Sequence, residues 1–560
     1  MSPSAHPLVK RILENRKIDN IEAFLNPLYD SRHDPFLLSG MTEAVSRILS
    51  AMEKKETIAV WHDYDCDGIP GGSLLYDFFR RIGYPVETYV PERSEGYGLN
   101  ADGIRSLKEK GVTLIITVDC GITDVAEVAF AKELGIEIIV TDHHLPQEKV
   151  PDAFAVINAH QKHDTYPFKG LCGTGVAFKL VEGLVARGDL DLPAGFEKWL
   201  LDLVAVATVA DMVPLTDENR LLVRYGLTVI HKGRRPGLKA LLEAEKIPTD
   251  TVTEDDIAFS IAPKINASSR MKSPKLAFEL LTTESESRAK ELAKELVKLN
   301  KDRKTEGMRV SKEVKKKMES MPTLDSVIVM GSREWRPSLL GIAATGLVQT
   351  YKRTVCLWGM DPSTGSGQAE LIKGSCRSDG TVNIVDLLTE AKDAFDDFGG
   401  HELSGGFSVS PDSIHVLPEK LNQALQKVKE NLSASVSRSE SVEEVEGHLT
   451  LQEVNDRTYE ALRALAPFGQ ENPKPVFRLK GVTAYSIMYF GAHKEHARLT
   501  LTDDSGARTD AVVFFVPRTD FKDTLALLTP GDTCTIDACI ERSYFAGRKE
   551  LRLRIENLAL

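Results

Sequence analysis

Cysteine, long apolar runs and surplus positive charge are all scarce in this chain of 560 residues. Its seven cysteines are scattered, with no Cys-x-x-Cys and no paired spacing. That excludes a zinc module or a disulfide framework as the basis of the fold, and unpaired thiols point to a reducing compartment. Met1 to Arg16 holds no apolar stretch of signal-peptide length. No run approaches the roughly 20 apolar residues of a membrane-crossing helix. The expectation is a cytoplasmic protein with no membrane contact. The net charge of −12 argues against nonspecific coating of nucleic acid by the whole chain. It leaves room for a local basic channel, because affinity follows local Lys and Arg. No internal repeat is visible.

What is present is alternation. The length predicts several domains of roughly 100–200 residues each. Residues 1–50 read as a small helical cap. From about 52 to 220, strand and helix patterns alternate, which predicts an α/β domain with a doubly wound parallel sheet. Trp199 to Ala210 is apolar enough to be buried and runs into Asp211. Residues 284–319 read as one long, solvent-laced helix connecting lobes, with Val310, Val314 and Met318 recurring at i+4. A second α/β unit begins near 321, with strands at Ser326–Gly331 and Thr354–Trp358 and a helix at Ala343–Tyr351. Two Gly-rich stretches follow, Gly374–Ser378 and Phe398–Gly406. Residues 431–442 look like a linker. Beyond 443 the chain is β-rich: Leu551, Leu553 and Ile555 alternate with Arg552 and Arg554, a half-buried strand with a basic outer face. Alternation alone predicts a small barrel or sandwich there.

Three β-forming runs end in acids or imidazoles. Thr57–Trp61 leads into His62-Asp63-Tyr64-Asp65-Cys66-Asp67-Gly68, Leu114–Val118 into Asp119-Cys120-Gly121, and Ile136–Thr141 into Asp142-His143-His144. In an open parallel sheet the carboxyl ends of strands face the ligand. A lone Asp there usually caps the next helix, but capping does not need all of these groups together with Asp211. Asp63, Asp65 and Asp67 have period two, so on an extended strand end they project to one side. Such close like charges need a cation between them. Mixed Asp and His favour Mn²⁺ or Mg²⁺, and two ions about 3.5–4 Å apart are expected. Gly173-Thr174-Gly175 lacks the Gly-Lys-Ser/Thr ending of a P-loop and is read as a helix start beside the site.

These residues resemble the DHH phosphoesterase superfamily, whose name spells Asp142-His143-His144, and within it the bacterial single-strand-specific 5′→3′ exonucleases. Further stretches carry the resemblance: Arg93–Gly98, Cys172–Lys179, Ala210–Leu215, Asn266–Met271, Gly399-Gly400-His401, and Leu465–Gly469 with Asn472-Pro473. The resemblance implies a cap at 1–50, a DHH catalytic domain at 51–225, a helical region with the long helix at 226–320, a substrate-binding DHHA1 domain at 321–432 and an OB-like barrel at 433–560.

It also implies roles. Asp65, Asp67, Asp119, His143 and Asp211 hold the metals, Asp63 is a further ligand or neighbouring acid, Asp142 orients its neighbours, and His144 contacts the scissile phosphate or helps proton transfer. Arg93, with Ser375 and Arg377, contacts the 5′-phosphate; a guanidinium offers phosphate a planar fork of donors. Asn266 and Arg270 contact the strand, and His401 lies in a Gly-rich turn whose N–H groups cradle a phosphate. Read from the residues alone, Arg542, Tyr544, Phe545, Arg548 and Lys549 fit either a cluster that stacks and neutralises single-stranded DNA or, nearly as well, a hairpin with ordinary surface residues. The chain departs from the family pattern at Arg336, usually His, at Ser269, usually Gly, and at Cys376, usually Ala.

The implied activity is release of 5′-mononucleotides from single-stranded DNA in repair and recombination, by a monomer whose partners include single-strand-binding protein and a helicase. Two alternatives stand beside it. One is a phosphodiesterase of the same superfamily for short oligoribonucleotides or cyclic dinucleotides. The other is a non-catalytic DNA-binding scaffold.

Overall fold

The computed structural model describes residues 6–319, 325–360, 372–432, 445–491, 493–545 and 548–560. Contacts divide the chain into two units, Met1–Lys301 with Ala461–Lys474, and Asp302–Glu460 with Pro475–Leu560.

The first unit is built on a parallel sheet of β1 (Thr57–His62), β2 (Glu87–Tyr89), β3 (Val112–Val118), β4 (Glu137–Thr141) and β5 (Ala155–Ile157), in the order β2-β1-β3-β4-β5. Its central strands are near-continuous apolar runs because both faces are covered. Ile58, Val60, Leu114, Ile116 and Ile139 belong to one core, with residues of helices Met41–Glu53, Gly68–Arg81 and Gly173–Arg187. Ala59, Trp61, Ile115, Ile138 and Val140 belong to another, with helices Ala101–Glu109 and Val125–Glu133. Adjacent residues of one strand thus face opposite cores, as a doubly wound sheet requires. Helix Leu201–Ala210 is buried along most of its length and delivers Asp211 at its end.

The segment Ala461–Lys474 packs with this first unit rather than with the β-rich region around it. Arg16 Nη1 donates to Asn472 Oδ1 at 2.8 Å, Arg220 Nη2 to the Ala466 carbonyl at 3.0 Å, and the Leu215 amide to the Gln470 carbonyl at 2.8 Å.

Helix Glu286–Glu319 runs from the first unit into the second. Val310, Val314 and Met318 bury one stripe of it against Ile328, Trp335, Leu340 and Val355. The adjoining sheet has the order β6-β7-β8-β10-β9, with β6 (Val327–Ser332), β7 (Thr354–Gly359), β8 (Ile372–Arg377), β9 (Asp397–His401) and β10 (Ser404–Val409). β6 and β7 are parallel and the other pairs antiparallel. Cys356 on β7 and Cys376 on β8 are direct cross-strand partners and form a disulfide. This corrects the expectation that all thiols are unpaired. Their sequence separation of 20 residues hides a pairing that only strand register creates. The other five cysteines are buried and form no disulfide among the described residues.

The C-terminal strands are β11 (Gly447–His448), β12 (Phe477–Phe490), β13 (His496–Thr502), β14 (Arg508–Val513), β15 (Thr533–Phe545) and β16 (Arg548–Ala559). They run β11-β12-β13-β14-β16-β15, and a further β12–β15 pairing closes β12 to β16 into a barrel. The basic outer face expected of β16 is neutralised: Arg552 pairs with Glu541 and Arg554 with Glu556, each at 2.6 Å. Residues 433–442 of the expected linker lie outside the described residues.

Candidate metal centre and substrate contacts

β1, β3 and β4 are neighbours in the sheet, so their carboxyl ends open side by side. Each acid that follows a strand is tied to the next strand by its own amide. Asp63 donates to the Val118 carbonyl at 3.2 Å, Asp119 to Thr141 at 3.0 Å and Asp142 to Ile157 at 3.1 Å. The sheet register therefore fixes the spacing of the site.

Three overlapping groups of side chains bring ligand atoms within 4.8 Å of one another: Asp63, Asp65 and Asp119; Asp67, His143 and Asp211; and Asp119, His143 and His144. His143 Nε2 lies 3.2 Å from Asp119 Oδ1, 3.6 Å from Asp67 Oδ2 and 3.7 Å from Asp211 Oδ2. Asp63 Oδ1 and Asp119 Oδ1 are buried without a hydrogen-bond partner among the described residues. A buried carboxylate oxygen left without a donor is costly. Oxygen and imidazole donors converging on that gap fit a hard divalent cation.

The electrostatics agree. Burial, reinforced by the neighbouring charge of Asp65, raises the Asp63 carboxyl well above its ordinary value. Burial and the charges of Asp67 and Asp65 do the same to Asp119 and push Asp211 up to about 9. Acids that hold protons this tightly are groups whose charge a cation must offset.

The loop after β1 is not the extended strand end that the period-two spacing predicts. His62 is its last strand residue, and Asp65 Oδ1 accepts from the amides of Asp67 at 2.7 Å and Gly68 at 3.2 Å. An Asp side chain bonding to the backbone two and three residues ahead folds the chain into a turn. Asp67 Oδ2 accepts from the Gly173 amide at 2.6 Å and Oδ1 from Thr174 at 2.8 Å, while Thr174 Oγ1 donates to the Asp67 carbonyl at 2.6 Å. Asp67 thus caps helix Gly173–Arg187, whose free amides and dipole favour an anion. A Cβ on Gly173 would lie 2.5 Å from the Asp119 Cβ, so the helix approaches this closely only as glycine. Asp119 itself has φ +62°, a left-handed conformation uncommon outside glycine, asparagine and aspartate.

Asp142 Oδ1 accepts from the His143 amide at 2.7 Å and the His144 amide at 3.1 Å, and lies 2.8 Å from His144 Nδ1; Oδ2 accepts from the Ile122 amide at 3.0 Å. Burial opposes charge on His144, but the Asp142 hydrogen bond and charge prevail and push it up to about 9. Asp142 is held below its ordinary range, since these donors outweigh its burial. Burial lowers His143 against the opposing charge of Asp67.

Arg93 Nε donates to Ser269 Oγ at 3.1 Å, and its guanidinium lies 4.1 Å from the Tyr64 ring centroid. Asn266 Oδ1 accepts from the Cys66 amide at 3.1 Å and so braces the Asp-rich turn. Arg270 follows in the same helix, Ala262–Met271, and its charge bears on Tyr64.

In the second unit, Ser375 and Arg377 stand two apart on β8. Arg377 Nη1 donates to the Cys376 carbonyl at 2.7 Å, and a Cβ on Gly341 would come within 2.5 Å of its Nη2. The expected Gly-rich turn at His401 is instead a tight hairpin. His401 ends β9, Gly405 and Gly406 lie in β10, which is paired on both sides, and the tip is Glu402-Leu403. β9 is the edge strand of the sheet and pairs only with β10. His401 is exposed. Arg336 forms an ion pair with Glu306 at 3.7 Å.

Arg542 does not offer itself to DNA. It is paired with Asp456 and Glu460 and lies over the Tyr459 ring, with its side chain 7% exposed. The side chains of Tyr544, Phe545, Arg548 and Lys549 lie outside the described residues. The barrel instead exposes Tyr485, Met488, Tyr489, Phe514 and Phe515, with Arg508 over Tyr485, Arg518 over Phe515 and Arg552 over Phe514.

Sequence reasoning missed Tyr97, whose hydroxyl donates to the Asp119 carbonyl at 2.8 Å and lies 3.1 Å from His144 Nδ1, and Asn158, whose Nδ2 donates to the His144 carbonyl at 2.8 Å. Tyr97 lies in a stretch already marked by resemblance; nothing in the sequence marks Asn158.

Residues 57–208 match the DHH family N-terminal domain, 324–434 the DHHA1 domain and 445–557 the RecJ OB domain. The chain is 33% identical to the single-stranded-DNA-specific exonuclease RecJ of Bacillus subtilis over 99% of its own length and 68% of that protein's. It is 32% identical to the Haemophilus influenzae RecJ over 92% of its own length and 90% of that protein's. The crystal structure of Thermus thermophilus RecJ in complex with Mn²⁺ matches with a TM-score of 0.79 at 26% identity, covering 100% of this chain and 76% of that one.

Proposed function

The chain belongs to the RecJ family of DHH phosphoesterases, and from that premise we propose that it degrades single-stranded DNA from the 5′ end, releasing 5′-mononucleotides. It is a single-stranded-DNA-specific exonuclease dependent on Mn²⁺ or Mg²⁺. The observation that carries the reading is the convergence of Asp63, Asp65, Asp67, Asp119, His143 and Asp211 around buried carboxylate oxygens without donors.

Asp65, Asp67, Asp119, His143 and Asp211, with Asp63 beside them, are the residues that would hold two ions. Bound there, divalent ions activate water and neutralise charge on the phosphoryl oxygens. The remaining roles belong to the protein's own side chains. Asp142 holds the proton on His144 Nδ1, so contact with the scissile phosphate falls to Nε2 of a charged imidazole. Arg93, steadied by Ser269 and Tyr64, receives the 5′-phosphate, and Asn266 and Arg270 line the strand beside it. In the second unit, Ser375, Arg377 and His401 contact the backbone. The exposed aromatics of the barrel stack the bases of the trailing strand, with arginines on their faces.

We assign the cap to residues 1–50, the catalytic domain to 51–225, the helical region to 226–320, the DHHA1 domain to 321–432 and the OB domain to 433–560. The protein acts in the cytoplasm as a monomer, in repair and recombination, alongside single-strand-binding protein and a helicase. Among the described residues no helix is long and apolar enough to cross a membrane.

The test is digestion with Mn²⁺ or Mg²⁺ of one strand labelled at its 5′ end, the same strand labelled at its 3′ end, and a blunt duplex. Immediate release of labelled mononucleotide from the first, late shortening of the second and an intact duplex are expected. Release first from the 3′ label would overturn the polarity.

A further inference from the structure

Away from the metal centre, the first unit contains a cavity of about 600 Å³ between the carboxyl end of helix Gly68–Arg81 and the turn before helix Pro236–Glu245. That first helix begins beside Asp67. At 14 residues, it spaces the two places by about 20 Å.

Four arginines line the cavity: Arg80, Arg81, Arg234 and Arg235. Arg235 forms part of its frame. It is bound by Asp202 Oδ2 at 2.7 Å, Asp77 Oδ2 at 2.6 Å and the Leu281 carbonyl at 2.6 Å. Asp77 Oδ1 also accepts from Arg80 Nη2 at 2.8 Å. The two buried acids are therefore committed to the frame. The remaining acid, Glu284, is 81% exposed and 3.5 Å from Arg80. Arg81 and Arg234 have no acidic partner among the described residues. Arg234 lies flat enough on Trp199 for its guanidinium carbon to be 3.6 Å from the ring centroid. A helix carboxyl end attracts cations, which accounts for Arg80 and Arg81; it does not account for Arg234 on Trp199.

We propose that this cavity is a second nucleotide-binding site, separate from the metal centre. Arg81 provides donors for a phosphate, Arg80 being held by Asp77, Glu284 and the Thr282 carbonyl, and the Arg234–Trp199 pair provides a flat surface for a base. Arginine planes and indoles are the surfaces on which unpaired bases stack, and a planar guanidinium binds phosphate oxygens in pairs. In a chain of net charge −12, such a concentration of arginine in one concavity is a local exception to the overall field. The same chemistry is offered by a free mononucleotide and by a nucleotide within a strand, and the test separates them.

Tryptophan fluorescence of the full chain in EDTA is followed while thymidine, thymidine 5′-monophosphate or a short oligothymidylate is added. We expect quenching by at least one phosphorylated ligand, abolished in Trp199→Phe, and affinity weakened roughly tenfold in Arg234→Ala and in Arg81→Ala. Arg234→Lys restores charge but not the plane and should recover little of it. Binding of the monophosphate assigns a free-nucleotide site; binding of the oligomer alone assigns a strand site. Exonuclease activity on a short strand should be unchanged in these variants; activity lost in step with nucleotide affinity would overturn the separation of this site from the metal centre. Equal affinity in wild type, Arg81→Ala and Arg234→Ala, or quenching that survives in Trp199→Phe, overturns the proposal.

Discussion

Arg93 and Ser269, 176 positions apart, are joined by a 3.1 Å hydrogen bond from Nε to Oγ. Ser269 thus braces an arginine whose guanidinium also lies over the Tyr64 ring. A charged hydrogen bond of this kind contributes about 1 kcal/mol when half-exposed. Ser269→Gly should therefore raise KM for a 5′-phosphorylated strand roughly fivefold with little change in kcat. Steady-state kinetics on 5′-phosphate and 5′-hydroxyl strands check this; an equal change on both ends would mean Arg93 does not read the phosphate.

Asp119→Asn keeps a side chain tolerated at φ +62° and removes a carboxylate ligand from a crowded acidic pocket. Activity should fall about 100-fold or more. Without metal, the variant should melt no lower than wild type, because burial already favours the protonated Asp119 carboxyl and Asn is its neutral counterpart. The melting shift on adding Mn²⁺ should shrink sharply. A variant that loses activity only because it unfolds would show the opposite pattern in EDTA.

Stability should respond to pH in a metal-dependent way. A carboxyl raised in the folded state contributes stability that is fully present below its unfolded value of about 3.9. That contribution disappears as pH rises through the folded value, about 9 for Asp211. His144, pushed up to about 9, acts in the same direction from its own unfolded value of about 6.5 upward. The metal-free protein should therefore melt progressively lower as pH climbs toward 9. Metal replaces the bound protons, so its stabilising effect should grow over the same range. Thermal melts in EDTA and in Mn²⁺ across pH give both curves; parallel curves would show that these acids do not hold the ion.

Gly173→Ala places a methyl 2.5 Å from the Asp119 Cβ and 2.8 Å from its Cα. Neither can move without disturbing a metal-site residue. The variant should lose about 1–3 kcal/mol of stability and most activity. Gly175→Ala, where the nearest atom is Leu171 Cδ2 at 3.4 Å, should behave nearly as wild type. Chemical denaturation of the pair separates crowding at Asp119 from a general intolerance of alanine in this helix.

Much of the site was legible because the chemistry lies at strand ends. Apolar runs that stop at Asp63, Asp119 and Asp142 mark the sheet edge, and parallel topology makes neighbouring edges converge. The Asp-rich loop was misjudged in form because side-chain bonding by Asp65 and the pull of a helix start at Gly173 override an extended path. The disulfide between Cys356 and Cys376, the sequestration of Arg542 and the hairpin at His401 were invisible for a related reason: each depends on which strand or helix lies alongside.

The sequence by itself determined the class of fold, the acidic and imidazole donor set, and the preference for a hard divalent ion, because these follow from local residue type and periodicity. Only the tertiary structure decided which oxygens are left without donors, which arginines are already spent on carboxylates, and that Arg80, Arg81 and Arg234 share a cavity with Trp199. Those outcomes depend on contacts between residues far apart in the chain, where register and helix packing, rather than local preference, set the distances.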